Sequence, residues 1–441
     1  MAYKLKILLV ALIVPFALFA QTQQFSLQQA MEYGINNNVL VKSAGLDVQN
    51  AQVTVNNRLS SGLPQVDITV DYQNFFKLPT SLIPAEFFGG EPGEFVAVQF
   101  GTEQNLSAGI SASQLLFSGS FFVAVNAAKE YVELVNAQKE LTENDVKKNV
   151  EFAYYSALIG KEFENLLQKN IDNLSKVHFE ISEMYKQGFV EQIDVDRLTI
   201  SQTTLDGQLE NAKRQTQLAT NLLKFSMGMD LATNIELTDS LGAIKKDLAF
   251  TANDQNYLNR PEIYILNKSI SLNDYNVRLN KSMYLPTLAL YASYSQNAQR
   301  NSFNFFDSNE PWFETGLVGV KMQVPVFSGF QRRTSVQAAQ IGLEKAQLDL
   351  QNATQGIMLE VETARTNYLN AQTDLDTQNK NIELAQKIYN TALIKYREGV
   401  GSSLELNNAE STLYMTQASY IQALFQLVNA QINLNKSLGY Y

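Results

Sequence analysis

Two short runs, one near the middle of the chain and one near its end, collect the side chains best placed for ionic chemistry. Tyr185-Lys186-Gln187-Gly188 precedes Asp194, Asp196 and Arg197, and Tyr396-Arg397-Glu398-Gly399 precedes Glu405. Acids and bases at such spacing can attract, repel or pair ions. Bond cleavage by acid and base needs carboxyls converging in a pocket, and the carboxylates here are scattered along polar helical faces. One His (His178) and no Cys rule out a multi-His metal centre in a single chain, a thiolate metal site and a disulfide framework. There is no Gly-Lys-Ser/Thr phosphate loop and no Gly-x-Ser-x-Gly nucleophile turn. A net charge of -10 has the wrong sign for coating nucleic acid. Neither an enzyme nor a cofactor protein is expected.

The same residues have local roles to fill. Ser402-Ser403-Leu404-Glu405 reads as a capping box, with Glu405 reaching back to the helix start. Asp194 falls in a first helical turn, where the helix dipole favours an anion. Gly188 and Gly399 read as C-cap and turn glycines. Tyr185 and Tyr396 end apolar stripes, so packing is a natural role for both. His178 falls on a stripe and reads as a packed helical histidine.

The stripes belong to two very long helices. Ile357, Val361, Ala364, Tyr368, Ala371, Leu375, Gln378, Ile382, Ala385, Tyr389, Ala392 and Tyr396 step by three and four, with Leu343, Ala346, Leu350 and Ala353 before them. Such a seam is a coiled-coil pattern over about seven heptads. A weaker copy runs from Val132 through Val146, Val150, Ala157, Leu167, Leu174, His178 and Ile181 to Tyr185. Helices over 120–186 and 331–397, each about 67 residues, would be roughly 100 Å long at 1.5 Å per residue.

The chain repeats itself. Leu63-Pro64-Gln65-Val66 returns as Leu285-Pro286-Thr287-Leu288, and Leu116-Phe117-Ser118-Gly119 as Val326-Phe327-Ser328-Gly329. The landmarks lie about 210 residues apart, and the first half carries about a dozen extra residues between its first two, a spacing that makes internal repetition the organising feature. The expected plan is a signal peptide over 1–20, a first repeat over 21–230, a linker over 231–254 and a second repeat over 255–441. The first repeat holds a helix over 27–63, strands over 64–77 and 104–118, the long helix, and a helix over 194–228. The second holds a helix, strands over 286–299 and 312–328, the long helix, and a helix over 405–439.

Lys4 and Lys6, the apolar run from Ile7 to Phe19 and the small Ala20 make the first twenty residues an export signal. No acylated N-terminal Cys is available as a lipid anchor. Beyond residue 20, no apolar stretch reaches the ~20 residues of a membrane helix. The strands alternate instead. Val66, Ile68, Val70 and Tyr72 face one way and Asp67, Thr69 and Asp71 the other; Val318, Val320, Met322 and Val324 repeat the pattern. Aromatics such as Phe76, Phe117, Phe122, Tyr291, Phe306, Trp312 and Phe327 gather toward the strand ends, as in an interfacial girdle. A membrane barrel needs at least ~8 strands, so four per chain require several chains, and three give about 12. Alternation alone also fits a half-buried soluble sheet, so a pore-less periplasmic coiled-coil scaffold stays open, as does a passive porin.

The order of elements in both halves, the Phe-Ser-Gly junctions and the turn Gly188-Phe189-Val190-Glu191-Gln192-Ile193-Asp194-Val195 resemble the TolC family of outer-membrane efflux proteins. The resemblance covers nearly all of the mature chain. It implies a homotrimer in the outer membrane of a Gram-negative bacterium, with a shared 12-stranded transmembrane β-barrel in lipid and a long periplasmic α-helical coiled-coil barrel. The linker would belong to an equatorial belt. The implied function is the exit duct of a tripartite efflux pump or type I secretion system. The implied partners are a periplasmic adaptor and an inner-membrane RND or ABC transporter, with no nucleic acid. Carried over by position, Tyr396, Asp194 and Glu405 match residues of the periplasmic entrance; Asp196 and Arg197, one turn on, would partly substitute for the missing ones, and Tyr185 ends the matching seam of the first half. Gly188, Phe189, Val190, Gly399, Val400 and Gly401 would form the adaptor-docking tips. This chain departs from the family pattern where Gly401 replaces a gate arginine and Asn408 an entrance acid.

Overall fold

The structure, a computed structural model, describes residues 23–241 and 256–441. The expected export signal and residues 242–254 of the expected linker lie outside the described residues. The strands are β1 (Gln23–Phe25), β2 (Gln65–Asn74), β3 (Thr80–Pro84), β4 (Phe95–Gln99), β5 (Gln104–Ser118), β6 (Ile235–Leu237), β7 (Thr287–Arg300) and β8 (Phe313–Gln323). The helices are α1 (Leu27–Asn37), α2 (Val39–Ser60), α3 (Gly119–Lys186), α4 (Gln192–Met227), α5 (Pro261–Ser282), α6 (Gln331–Arg397) and α7 (Ser403–Leu438). They fall into two compact units that each draw on both halves of the chain. One comprises Val48–Val135 and Leu266–Asp349, the other Met1–Asp47, Asn136–Ile265 and Leu350–Tyr441.

The first unit contains an antiparallel sheet in the order β2-β5-β7-β8. Its register puts like beside like. Val66, Ala112, Ala292 and Val318 form one cross-strand row, and Ile68, Ile110 and Tyr294 lie in the next. On the opposite face Thr69, Gly109, Ser295 and Thr315 make a polar row beside Asp67, Ser111 and Ser293. The apolar face is bare: Ile68 and Val318 are each 77% exposed. Tyr291 departs from the expected girdle. It belongs to the opposite face, and its ring lies over Gly319, where an added Cβ would meet the Tyr291 hydroxyl at 2.7 Å. The small residue is required by that close approach. The extra residues of the first half form a β3–β4 hairpin between β2 and β5, with Phe87 and Phe95 exposed.

In the second unit the long helices bury their seams. Ile357, Val361, Ala364, Tyr368, Leu375, Ala385, Tyr389, Ala392 and Tyr396 of α6 are all buried. In α3 the buried set is Val146, Val150, Ala153, Ala157, Leu167, Ile171, Leu174, Val177 and Ile181. Val177 takes the place expected of His178, whose ring instead pairs with the Thr199 hydroxyl at 3.1 Å. A three-residue step satisfies the stripe with an apolar side chain and leaves the imidazole at its margin.

The helix expected over 27–63 is broken at Asn38. That residue is extended (φ -61°, ψ 133°) and closes α1 by donating its N–H to Gly34 O. Its side chain accepts from Leu40 N at 2.8 Å and donates to Ser226 O at 2.8 Å. The asparagine therefore ends one helix, caps the next and ties both to α4. Gly228, at φ 72°, sits so close to Asn37 that a Cβ would meet its carbonyl oxygen at 2.7 Å. β1 and β6 pair in parallel, an association three residues long that carries no periodic signal. Arg260, 4% exposed, bonds to Glu262 and Glu360 and reaches Ser437 O at the end of α7.

Candidate functional site at the helix turns

Each long helix ends in a glycine turn. Gly188 (φ 83°) and Gly399 (φ 75°) take the left-handed conformation that glycine adopts without steric cost. In both turns the residue after the glycine donates its N–H back into the helix, Phe189 to Met184 O and Val400 to Lys395 O. Phe189 and Val400 are 73% and 79% exposed, whereas Val190 packs against the apolar cluster below.

Asp194 closes the start of α4 in a reciprocal box with Glu191, accepting the Glu191 N–H at 3.3 Å. Asp194 Oδ1 also lies 3.8 Å from Arg197 Nη1, and that nitrogen donates to Ser403 Oγ at 2.8 Å, joining α4 to α7. Asp196 accepts from the Gln192 amide. The box expected at the start of α7 is only half formed. Ser402 Oγ accepts the Glu405 N–H, while the Glu405 carboxylate turns outward to Lys395 Nζ at 2.8 Å. A nearby ammonium competes better for a carboxylate than a neutral amide does.

Tyr396 and Tyr185 differ in setting. Tyr185 is exposed, and Tyr396 is buried among Leu406, Ala409 and the α3 seam, its hydroxyl without a hydrogen-bond partner. Burial, helped by the nearby Asp194 charge, pushes the Tyr396 phenol up from its ordinary value. An ion pair also links α3 and α6. Arg397 Nε and Nη2 bond bidentately to Glu180 at 3.0 and 3.1 Å. Arg397 belongs to the Tyr-Arg-Glu-Gly run, but its partner is distant in sequence and Glu180 reads as one more solvated acid. The glycine at 401 also has a physical account. A Cβ there would stand 2.9 Å from the Lys395 Cβ and 3.1 Å from Tyr396 N. No longer side chain fits that turn.

A groove of about 740 Å³ opens among α3, α4 and α7, lined by Phe163, Ile200, Leu205, Tyr414 and Met415. A second, of about 730 Å³, runs between α6 and α7 past Ile388, Lys395, Leu404 and Glu405. Among the described residues no cluster of His, Cys, Asp and Glu is arranged to hold a metal ion, and no helix is long and apolar enough to cross a membrane.

Residues 254–440 match the model of the family described as Outer membrane efflux protein. The match covers the second half of the chain. The chain is also similar to the alkaline protease secretion protein AprF of Pseudomonas aeruginosa, 25% identical over 196 residues, 44% of this chain and 38% of AprF. The probable outer membrane lipoprotein SilC of Salmonella typhimurium is 20% identical over 92% of this chain and 84% of its own. Among solved structures, CusC superposes with a TM-score of 0.75 at 15% identity, covering 94% of this chain and 92% of CusC. The fold of this chain is therefore that of the TolC-like channels.

Proposed function

We propose that the chain is the outer-membrane exit duct of a tripartite efflux pump or type I secretion system. It receives substrate from a periplasmic adaptor and an inner-membrane RND or ABC transporter and passes it outside. The observation that carries this reading is the four-stranded sheet. It has one apolar and one polar face, and among the described residues its outer strands β2 and β8 have no partner on their free edges. Open edges do not survive in lipid, so neighbouring copies supply the missing partners. Three copies give about 12 strands, enough for an aqueous lumen where about eight would be filled by side chains. The polar rows then line the lumen and the apolar rows meet lipid.

The two halves are read as structural repeats, supported by matched lengths: 68 and 67 residues for α3 and α6, and 36 for both α4 and α7. In this reading Tyr185, Asp194, Asp196, Arg197, Tyr396 and Glu405 surround the periplasmic entrance. The turns at Gly188, Phe189, Val190, Gly399, Val400 and Gly401 meet the adaptor. With glycine at 401, Arg397 and Arg197 are the arginines that tie the hairpins together. The duct does no work; the inner-membrane partner supplies the energy. Deleting the gene should abolish export by the pump while leaving passive uptake unchanged, and the purified protein should run as a heat-modifiable trimer in detergent. A monomer that stays monodisperse in water without detergent would refute the reading.

A further inference from the structure

The seam of α7 is interrupted by two polar residues. Leu406, Glu410, Leu413, Gln417, Leu424 and Leu427 step by heptad spacing and are all buried. Gln417 is answered, accepting from Asn170 of α3 at 2.6 Å. Glu410 is not answered by any cation. It is 2% exposed, its Oε1 accepts from the Tyr414 hydroxyl at 2.8 Å, and its Oε2 has no hydrogen-bond partner at normal geometry. The Ser201 hydroxyl of α4 is the neighbouring group across the gap, and Tyr389 of α6 faces the same carboxyl. Beyond Tyr389 stand Arg397 of α6 and Glu180 of α3, already paired with each other.

We propose that Glu410 is a proton-operated pin between the two helical hairpins α3–α4 and α6–α7. The proposal rests on the exit-duct reading and adds to it a means by which the entrance responds to pH. A carboxylic acid at 410 completes the cluster, since the proton on Oε2 becomes a donor toward the Ser201 hydroxyl. A carboxylate there is a buried charge without a counter-ion, and water must enter to solvate it. Burial drives the pKa of Glu410 up, against the smaller opposing effect of the Tyr414 and Ser201 hydrogen bonds. The same burial, with the Glu410 charge, drives Tyr389 up to about 12, so neither it nor Tyr414 can give up a proton in its place. The sign follows: a carboxyl whose packed-state pKa is raised favours the packed hairpins at low pH and loses that contribution as pH rises through the raised value.

The natural absence of cysteine allows a clean test. Spin labels at Ile200→Cys and Met415→Cys, both on exposed positions of α4 and α7, report hairpin separation in the full-length protein from pH 5 to 8. The distance distribution should lengthen or broaden as pH rises in the otherwise wild-type protein. It should stay short at every pH in Glu410→Gln and in Glu410→Leu. A flat wild-type profile overturns the pin, as does an unchanged pH response in either variant. Channel conductance measured on the same samples tests the duct reading separately.

Discussion

At the scale of single residues, the turns are held by many modest contacts rather than one strong one. The Arg397–Glu180 pair is bidentate, but both partners are about half exposed, and exposed pairs contribute about 0–1 kcal/mol. Arg397→Ala should therefore lower the melting temperature only slightly. Its effect should appear instead as a change in single-channel conductance, because it frees α6 from α3. Tyr396 makes a sharper case. Its buried hydroxyl has no partner, and stranding such a group costs about 1–3 kcal/mol. Tyr396→Phe should thus be neutral or stabilising in thermal unfolding, whereas Tyr396→Ala should cost about 3–5 kcal/mol, as large-to-small changes at buried rings do. A strong loss of stability in the phenylalanine variant would show that the hydroxyl has a partner after all. Gly401→Arg should distort the turn against Lys395. Circular dichroism and conductance together would show this.

Among the elements, what was legible in the sequence tracked the length of the pattern. The seam of α6 was readable almost residue by residue, because apolar side chains recur there with Gln378 as the one polar step. The strands were equally plain, since alternation and cross-strand register agree. The break at Asn38 was hidden, because the stripe resumes in phase on both sides and the decisive bonds go to Ser226, far along the chain. Asn38→Ala should remove the cap of α2 and the tie to α4, at a cost of about 1–2 kcal/mol seen as a lower unfolding midpoint. Glu410 was invisible for a different reason. In a polar, Gln- and Asn-rich helix a glutamate reads as solvated, and only packing by three other helices buries it. The expected capping by Glu405 failed because Lys395, ten residues earlier, comes within reach only once the turn has formed.

For the whole molecule, the bare apolar rows are the feature on which the proposed lipid contact and shared barrel rest. Ile68 lies on β2, one of the two edge strands of the sheet. Ile68→Lys should weaken the assembly by about 2–4 kcal/mol if the side chain faces mid-bilayer. The measurement is loss of the slow-migrating band at a lower temperature in detergent. Retention of the wild-type band would contradict the assigned lipid face. The β5–β7 ladder carries a further consequence for biogenesis. Its closest pairing sets Ser118 opposite Thr287, so the whole of α3 and α4 is made before β7 can join the edge of β5 that β2 leaves open. The β2–β5 hairpin must therefore hold one edge open until the second half of the chain arrives.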